Sequence, residues 1–455
     1  MHLLIIYFVI ITIPLVFAAV QPWVRSFYTV IFFTAFLVVL WKNNFSRERT
    51  SDNFFKFPII LFFFITLLQF VPLPFEVLYY ISPYRYDALV QAYALTDRAL
   101  SWQAVSYSSR DSMAWWSFLL GLFLFLSVLQ KYCTSRYNLA GLIRILAVVA
   151  TLEALYGLIQ ALVPGTGVLW IDSAYPGCST GTYINRNHFA GFIEMIWPLV
   201  LGYTLSMGTW TRDRTKLIFS SDRLNLQLLF VLAIIIMLLA LLFSRSRGGI
   251  IGGTIGWLTF LGLVQATNKG LPLILRIMLG VIVSFLVLYG FAMGFAPIIE
   301  RFLIIGVNDG RLDLWQYGFA IFKDHPFGIG LGNTPAVLPV YRVSDISDLR
   351  QVYLHNDFLQ LLVETGFPGF LAIVGGGFAF LWKSILQLKR LAPHREGFRY
   401  FIAIGALSGL ISIIVHSFFD FNLQIPANCF YFVMLIGIVY ACLWSESFDE
   451  KITVS

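Results

Sequence analysis

Charge is scarce in this sequence: Asp, Glu, Lys and Arg supply only 12% of the 455 residues. Soluble domains carry about twice that share, so an ordinary soluble protein is excluded. Cysteine is also rare. Cys133, Cys178, Cys429 and Cys442 show no CxxC spacing, which supports neither a metal cluster nor a disulfide framework. Internal repeats and low-complexity tracts are missing, as are the short segments of alternating polarity that a membrane barrel would need. The first 20 residues end in "LVFAAV" like a signal peptide, but they lack a basic leading region and so predict a retained first span.

What fills the sequence instead is apolar. Hydrophobic residues make up 58% of it, 44 of them Phe, with a mean hydropathy of +0.79. A spanning helix needs about 20 apolar residues. Runs suited to spans fall near 2–20, 24–41, 57–75, 113–130, 139–162, 188–207, 225–243, 249–266, 277–296, 357–382, 400–418 and 427–445. The expectation is an all-α polytopic membrane protein of about twelve transmembrane helices, with 1–455 forming a single transmembrane domain.

The net charge of +7 follows from topology. With a cytoplasmic N-terminus, the short inner connections at 42–56, 131–138, 208–224, 267–276 and 383–399 are densely basic, whereas the longer outer ones are not. Both termini are then cytoplasmic, and nucleic acid is not needed as a partner. Three sizeable outer connections remain, at 76–112, 163–187 and 297–356. The last, between spans 9 and 10, is long enough to form a periplasmic loop subdomain.

Four polar clusters fall on that outer face. "LLALLFSRSRGGIIGG" puts Arg245 and Arg247 at the turn between spans 7 and 8, where the positive-inside rule expects few arginines; Gly248 and Gly249 beside them would leave backbone near a ligand. "NDGRLDLWQYGF" sets Arg311 and Trp315 four residues apart, on one face of a helix, and the "HPFGIGLGN" after it reads as a turn and not as a phosphate loop. "VYLHNDFLQLLVETGFPGF" places His355 beside the cap residue Asn356 or Asp357, with Glu364 two turns deeper and in need of a cationic or hydrogen-bonding partner. "TGTYINRNHFAGFIEMIWP" crowds Arg186 and His188 at the entrance of span 6 with Glu194 inside it, and Glu153 in span 5 is a lesser candidate. Capping, headgroup snorkelling or plain packing would explain each cluster alone. Together they hold several arginines and a histidine, and the planar fork of arginine suits phosphate oxygens. The ligand they imply is a membrane-embedded anion, such as a lipid bearing phosphate or pyrophosphate.

"SRSRGG", "GRLDLW", "HNDFLQLLVETGFPG" and "NRNHFAGF", spread over residues 180–420, resemble the superfamily of O-antigen ligases and O-antigen polymerases. Residues 1–130 resemble it only as hydrophobic spans. The resemblance implies a glycosyltransferase of the bacterial inner (cytoplasmic) membrane, part of lipopolysaccharide biosynthesis, with its active site facing the periplasm. It would move a glycan from undecaprenyl pyrophosphate to an acceptor hydroxyl, inverting the anomeric centre without a metal or other cofactor.

By position, Arg247 and Arg311 would hold the pyrophosphate and His355 would assist the acceptor, as base or as orienting group. Arg245 and Arg186 would help, and His188, Trp315, Asn356 and Glu364 would contact substrate. The outer loops lack an Asp-x-Asp pair, which fits arginines standing in for a metal. The acceptor would be a lipid A core for a ligase, or a second lipid-linked glycan for a polymerase. A lipid-linked oligosaccharide flippase is the alternative of another class, but transporter sites more often lie near the midplane of repeated halves.

Overall fold

The computed structural model describes residues 2–41, 56–96, 101–207, 209–210, 217–218, 221–268, 280, 311–342, 352–391, 396–445 and 448. Eleven of the twelve expected segments are helices: α1 (His2–Leu15), α2 (Pro22–Trp41), α3 (Lys56–Phe70), α6 (Ser109–Tyr132), α7 (Arg136–Leu162), α8 (Arg186–Ser206), α9 (Ser221–Phe243), α10 (Arg247–Asn268), α13 (Asp357–Leu388), α14 (Gly397–His416) and α15 (Pro426–Trp444). The segment expected at 277–296 lies outside the described residues, as do much of the 297–356 connection and most of the basic inner ones.

Among the described residues, nine helices are long and apolar enough to cross a membrane, and α1 and α3 are shorter. Local chemistry stops both of these early. Phe17, Ala18 and Ala19 all take positive φ, turning the chain left-handed just after α1. The "VPLP" sequence follows Phe70, and its prolines cannot continue α3. The 76–112 connection is not plain loop, since α4 (Phe75–Ile81) and α5 (Pro83–Thr96) occupy it, and 311–341 holds α11 (Arg311–Asp324) and α12 (Thr334–Tyr341). One minimal strand pair joins Thr209–Trp210 to Leu217–Ile218.

Helix α8 is the centre of the bundle: residues 188–206 are all buried. Its closest neighbour is α14, and small residues make that approach possible. A Cβ on Gly405 would stand 2.5 Å from the Pro198 carbonyl oxygen, and one on Gly202 or Gly409 would collide with the Phe401 or Met195 carbonyl. Helix α10 lies against both, with Gly249 on Ala190 and Gly256 on Ser412. The glycines of "RGGIIGGTIG" therefore serve helix packing, a use beyond the ligand access expected of Gly248 and Gly249.

Caps fix where the helices begin at the site end. Asn185 accepts from the Asn187 amide, Ser246 Oγ from the Gly249 amide and Asn356 from the Leu359 amide, starting α8, α10 and α13. Helix α13 breaks at Gly366 (φ 68°, ψ 176°), a conformation costly for any residue with a Cβ. At that break the carbonyls of Val363 and Glu364 accept from the amides of Ile329 and Gly330, and the Phe367 amide donates to Pro326. The "HPFGIGLGN" segment thus folds as a turn, with Gly328, Gly330 and Gly332 all at positive φ. Leu314, Ile321, Ile329, Val337, Leu338, Leu354, Leu359 and Val363 form a second small core under α11 and α12.

Candidate functional site

A cavity of about 330 Å³ opens at the end of the bundle where α8, α10 and α13 begin and α14 ends. It is lined by Tyr175, Asn185, Arg186, Asn187, Arg245, Arg247, Gly248, Arg311, His355, His416, Phe419 and Asp420. Four separate stretches of sequence thus deliver Arg186, Arg245, Arg247, Arg311 and His355 to one place. Among the described residues, its lining holds four guanidinium groups against the one carboxylate of Asp420, so their field favours an anion.

Asp420 organises one wall. It sits between α14 and α15, is 1% exposed, and accepts from Asn187 Nδ2 at 2.5 Å and from its neighbour's amide at Phe421. His355 Nδ1 lies 3.1 Å from Asp420 Oδ1, and Arg311 Nη2 lies 3.9 Å from Oδ2. Burial alone would raise the Asp420 carboxyl, but the His355 hydrogen bond and the charges of His355, His188 and His416 outweigh it and hold the group well below the usual carboxylate range. An ionised carboxylate only accepts, so in the neutral form of His355 the proton sits on Nδ1 and the lone pair on Nε2.

Two site residues hold strained backbone. Arg245 (φ 52°) and His355 (φ 48°) are left-handed without being glycine or asparagine, each at a cost of about 1–3 kcal/mol. The surrounding contacts enforce the His355 conformation: Asn356 caps α13, and the Asp357 amide donates to the carbonyls of Ser417 and Asp420. Asp357 Oδ2 in turn accepts from Ser417 Oγ and the Leu423 amide. Arg245 closes the α9 end, its amide on the Leu242 carbonyl. Arg186 lies over the Tyr175 ring at 5.0 Å.

A second imidazole–carboxylate pair meets the cavity from below. His416 Nδ1 and Glu194 Oε1 are 2.9 Å apart, and both side chains are buried.

Other expected site residues stand apart from the lining. His188 is buried behind Asp420, its Nε2 4.0 Å from Oδ1. Trp315 packs against the second core beneath α11 although Arg311 reaches the cavity. Asn356 spends its oxygen on the cap. Glu364 takes hydrogen bonds from the Gly332 amide, Thr334 Oγ1 and Gln360 Nε2, which makes it the anchor of the 328–334 turn. Glu153 does the same for the connection between α7 and α8 through the amide and hydroxyl of Thr182. Buried acids at these helix ends hold loops because a carboxylate offers several lone pairs to backbone amides that would otherwise be orphaned.

Asp420 and His416 were not singled out from sequence. The signal available was a lone acid in an otherwise aromatic "HSFFDFN" between two spans, the kind of charge that a membrane protein retains only with partners.

Residues 232–374 match the family model described as O-antigen ligase. That match covers about a third of the chain and supports the resemblance to the O-antigen ligase and polymerase superfamily. The matched stretch includes Arg245, Arg247, Arg311 and His355, and stops short of Arg186, His416 and Asp420. No curated protein matches the sequence. Members of the superfamily are glycosyltransferase-like enzymes, and its multiple apolar helices make this chain a multi-pass membrane protein.

Proposed function

We propose that this protein is an inner-membrane glycosyltransferase that moves a glycan from undecaprenyl pyrophosphate to an acceptor hydroxyl at the periplasmic face. One observation carries the proposal: four arginines and two histidines, distant in sequence, line a single cavity at one end of an apolar helix bundle. A polyprenyl lipid enters such a cavity laterally, and the arginines meet its pyrophosphate.

In the proposed step the acceptor oxygen attacks the anomeric carbon opposite the departing phosphate. The new C–O bond forms as the sugar–phosphate C–O bond breaks, and the electron pair leaves on the pyrophosphate oxygen. Arg247 and Arg311, with Arg245 and Arg186 beside them, stabilise the charge that develops there. Fixed donors of this kind are each worth about 10²–10³ in rate. The first turn of α10, which begins at Arg247 and includes Gly248, adds its helix dipole to the same end. His355 Nε2 receives the acceptor's proton, and Asp420 stabilises the imidazolium formed.

The proposed acceptor is a lipid A core, as for a ligase. Purified protein supplied with lipid-linked donor together with lipid A core tests this. Product on the core supports the ligase; a lengthening lipid-linked glycan identifies a polymerase.

A further inference from the structure

We infer that His416 is a further contact for the donor's pyrophosphate, its ring held by Glu194 so that Nε2 faces the cavity. The inference rests on the proposed identity of the cavity as a pyrophosphate-lipid site. His416 ends α14 and lines the cavity, while Glu194 lies one helix away in α8 and is fully buried. Their 2.9 Å contact uses Nδ1, so the ring nitrogen left over is Nε2. That edge lies beside Gly248, which also lines the cavity: a Cβ there would collide with the ring carbon Cδ2 and sit 2.6 Å from Nε2. The missing side chain at 248 leaves the edge uncovered, next to the helix turn that begins with Arg247.

A purely structural tether would not need these groups. Burying a carboxylate is costly unless its lone pairs are filled, yet Glu194 Oε2 has no hydrogen-bond partner among the described residues. What the carboxylate does supply is a fixed ring orientation, and with a phosphate bound at Nε2 the imidazole stands between two anions and donates through both nitrogens. A doubly donating imidazole beside an arginine cluster binds a phosphoryl oxygen. Glu194 is then a positioning residue, and His416 touches the anion. This differs from the role of His355, whose Nε2 is an acceptor directed at the attacking hydroxyl.

The test uses the full-length protein in lipid nanodiscs, titrated with undecaprenyl pyrophosphate and, as an uncharged reference, undecaprenol. His416→Gln is expected to weaken undecaprenyl pyrophosphate about tenfold, the size of one charge-assisted hydrogen bond, with undecaprenol binding and the unfolding temperature unchanged. Glu194→Gln preserves shape and an acceptor for Nδ1, and is expected to weaken pyrophosphate binding in the same direction by less. Wild-type affinity in both variants, while Arg247→Ala and Arg311→Ala lose binding, overturns the inference and leaves the arginine site standing. Wild-type affinity in all four variants removes the pyrophosphate site itself.

Discussion

Asp420 Oδ1 stands 3.1 Å from His355 Nδ1 although 65 positions separate them in sequence, and the same carboxylate reaches Asn187 and Arg311 through its other oxygen. One acid thereby ties together three of the clusters that sequence patterns left separate. Removing its charge should cost His355 both orientation and electrostatic support. Asp420→Asn is expected to lower transfer about 10²-fold, within the range of a positioned acid–base pair, with the protein still folded in the membrane. Turnover under saturating donor, beside a thermal unfolding curve, checks it; near-normal turnover would remove Asp420 from the machinery.

Arg247→Lys keeps the charge at the head of α10 but loses the guanidinium fork. The expected result is partial transfer from Arg247→Lys and a loss of about 10²–10³-fold from Arg247→Ala. Kinetics with lipid-linked donor compare the two substitutions; equal losses would show that the fork adds nothing beyond the side chain's charge and bulk.

The glycines of α10 give a paired prediction. At Gly248 an added Cβ meets the His416 ring, whereas at Gly262 none of the described residues lies within 4 Å. Gly248→Ala should destabilise by about 1–3 kcal/mol through overpacking and impair transfer. Gly262→Ala should stabilise by about 0.5–1 kcal/mol through helix propensity. Unfolding midpoints in detergent decide the signs.

Glu364 separates a loop anchor from a substrate contact. Glu364→Ala orphans the Gly332 amide and Thr334 hydroxyl, a loss of about 1–3 kcal/mol for each buried group left unpaired. The expected variant is less stable, with an unchanged donor KM in the folded fraction. A raised KM at wild-type stability would instead return Glu364 to the binding site.

His325, just past α11, lies between Ser82 Oγ and Tyr107 OH. Burial lowers its pKa to about 4; the charge of Asp324 opposes the shift and that of Arg85 adds to it. The folded protein therefore binds the proton less readily than the unfolded chain. Above about pH 6.5 the group is neutral in both states and adds no pH dependence. As pH falls from there to about 4 the unfolded state takes the proton first and stability drops, by at most about 3 kcal/mol. His325→Gln should flatten that part of the stability–pH curve.

Helical spans were legible because hydrophobic length is a local property, and eleven segments were placed that way. Arg245 and Arg247 were legible because the topology expected from sequence put them where the charge rule allows few arginines. Asp420 and His416 were not, since their roles arise from the meeting of α14 with α8 and α13, which no local pattern encodes. Trp315 shares a helix with Arg311, but the second core claims its face. Glu364 announced only that it needed partners, and these proved to be hydrogen-bond donors.

The most direct test of the proposed transfer site is a single-turnover assay. Full-length protein in liposomes receives donor labelled in both glycan and pyrophosphate, together with acceptor. Wild type should release labelled undecaprenyl pyrophosphate in step with glycosylated acceptor, and Arg311→Ala and His355→Ala should release neither. Intact donor carried across the bilayer, with no pyrophosphate linkage cleaved, would contradict the proposal and identify a transporter.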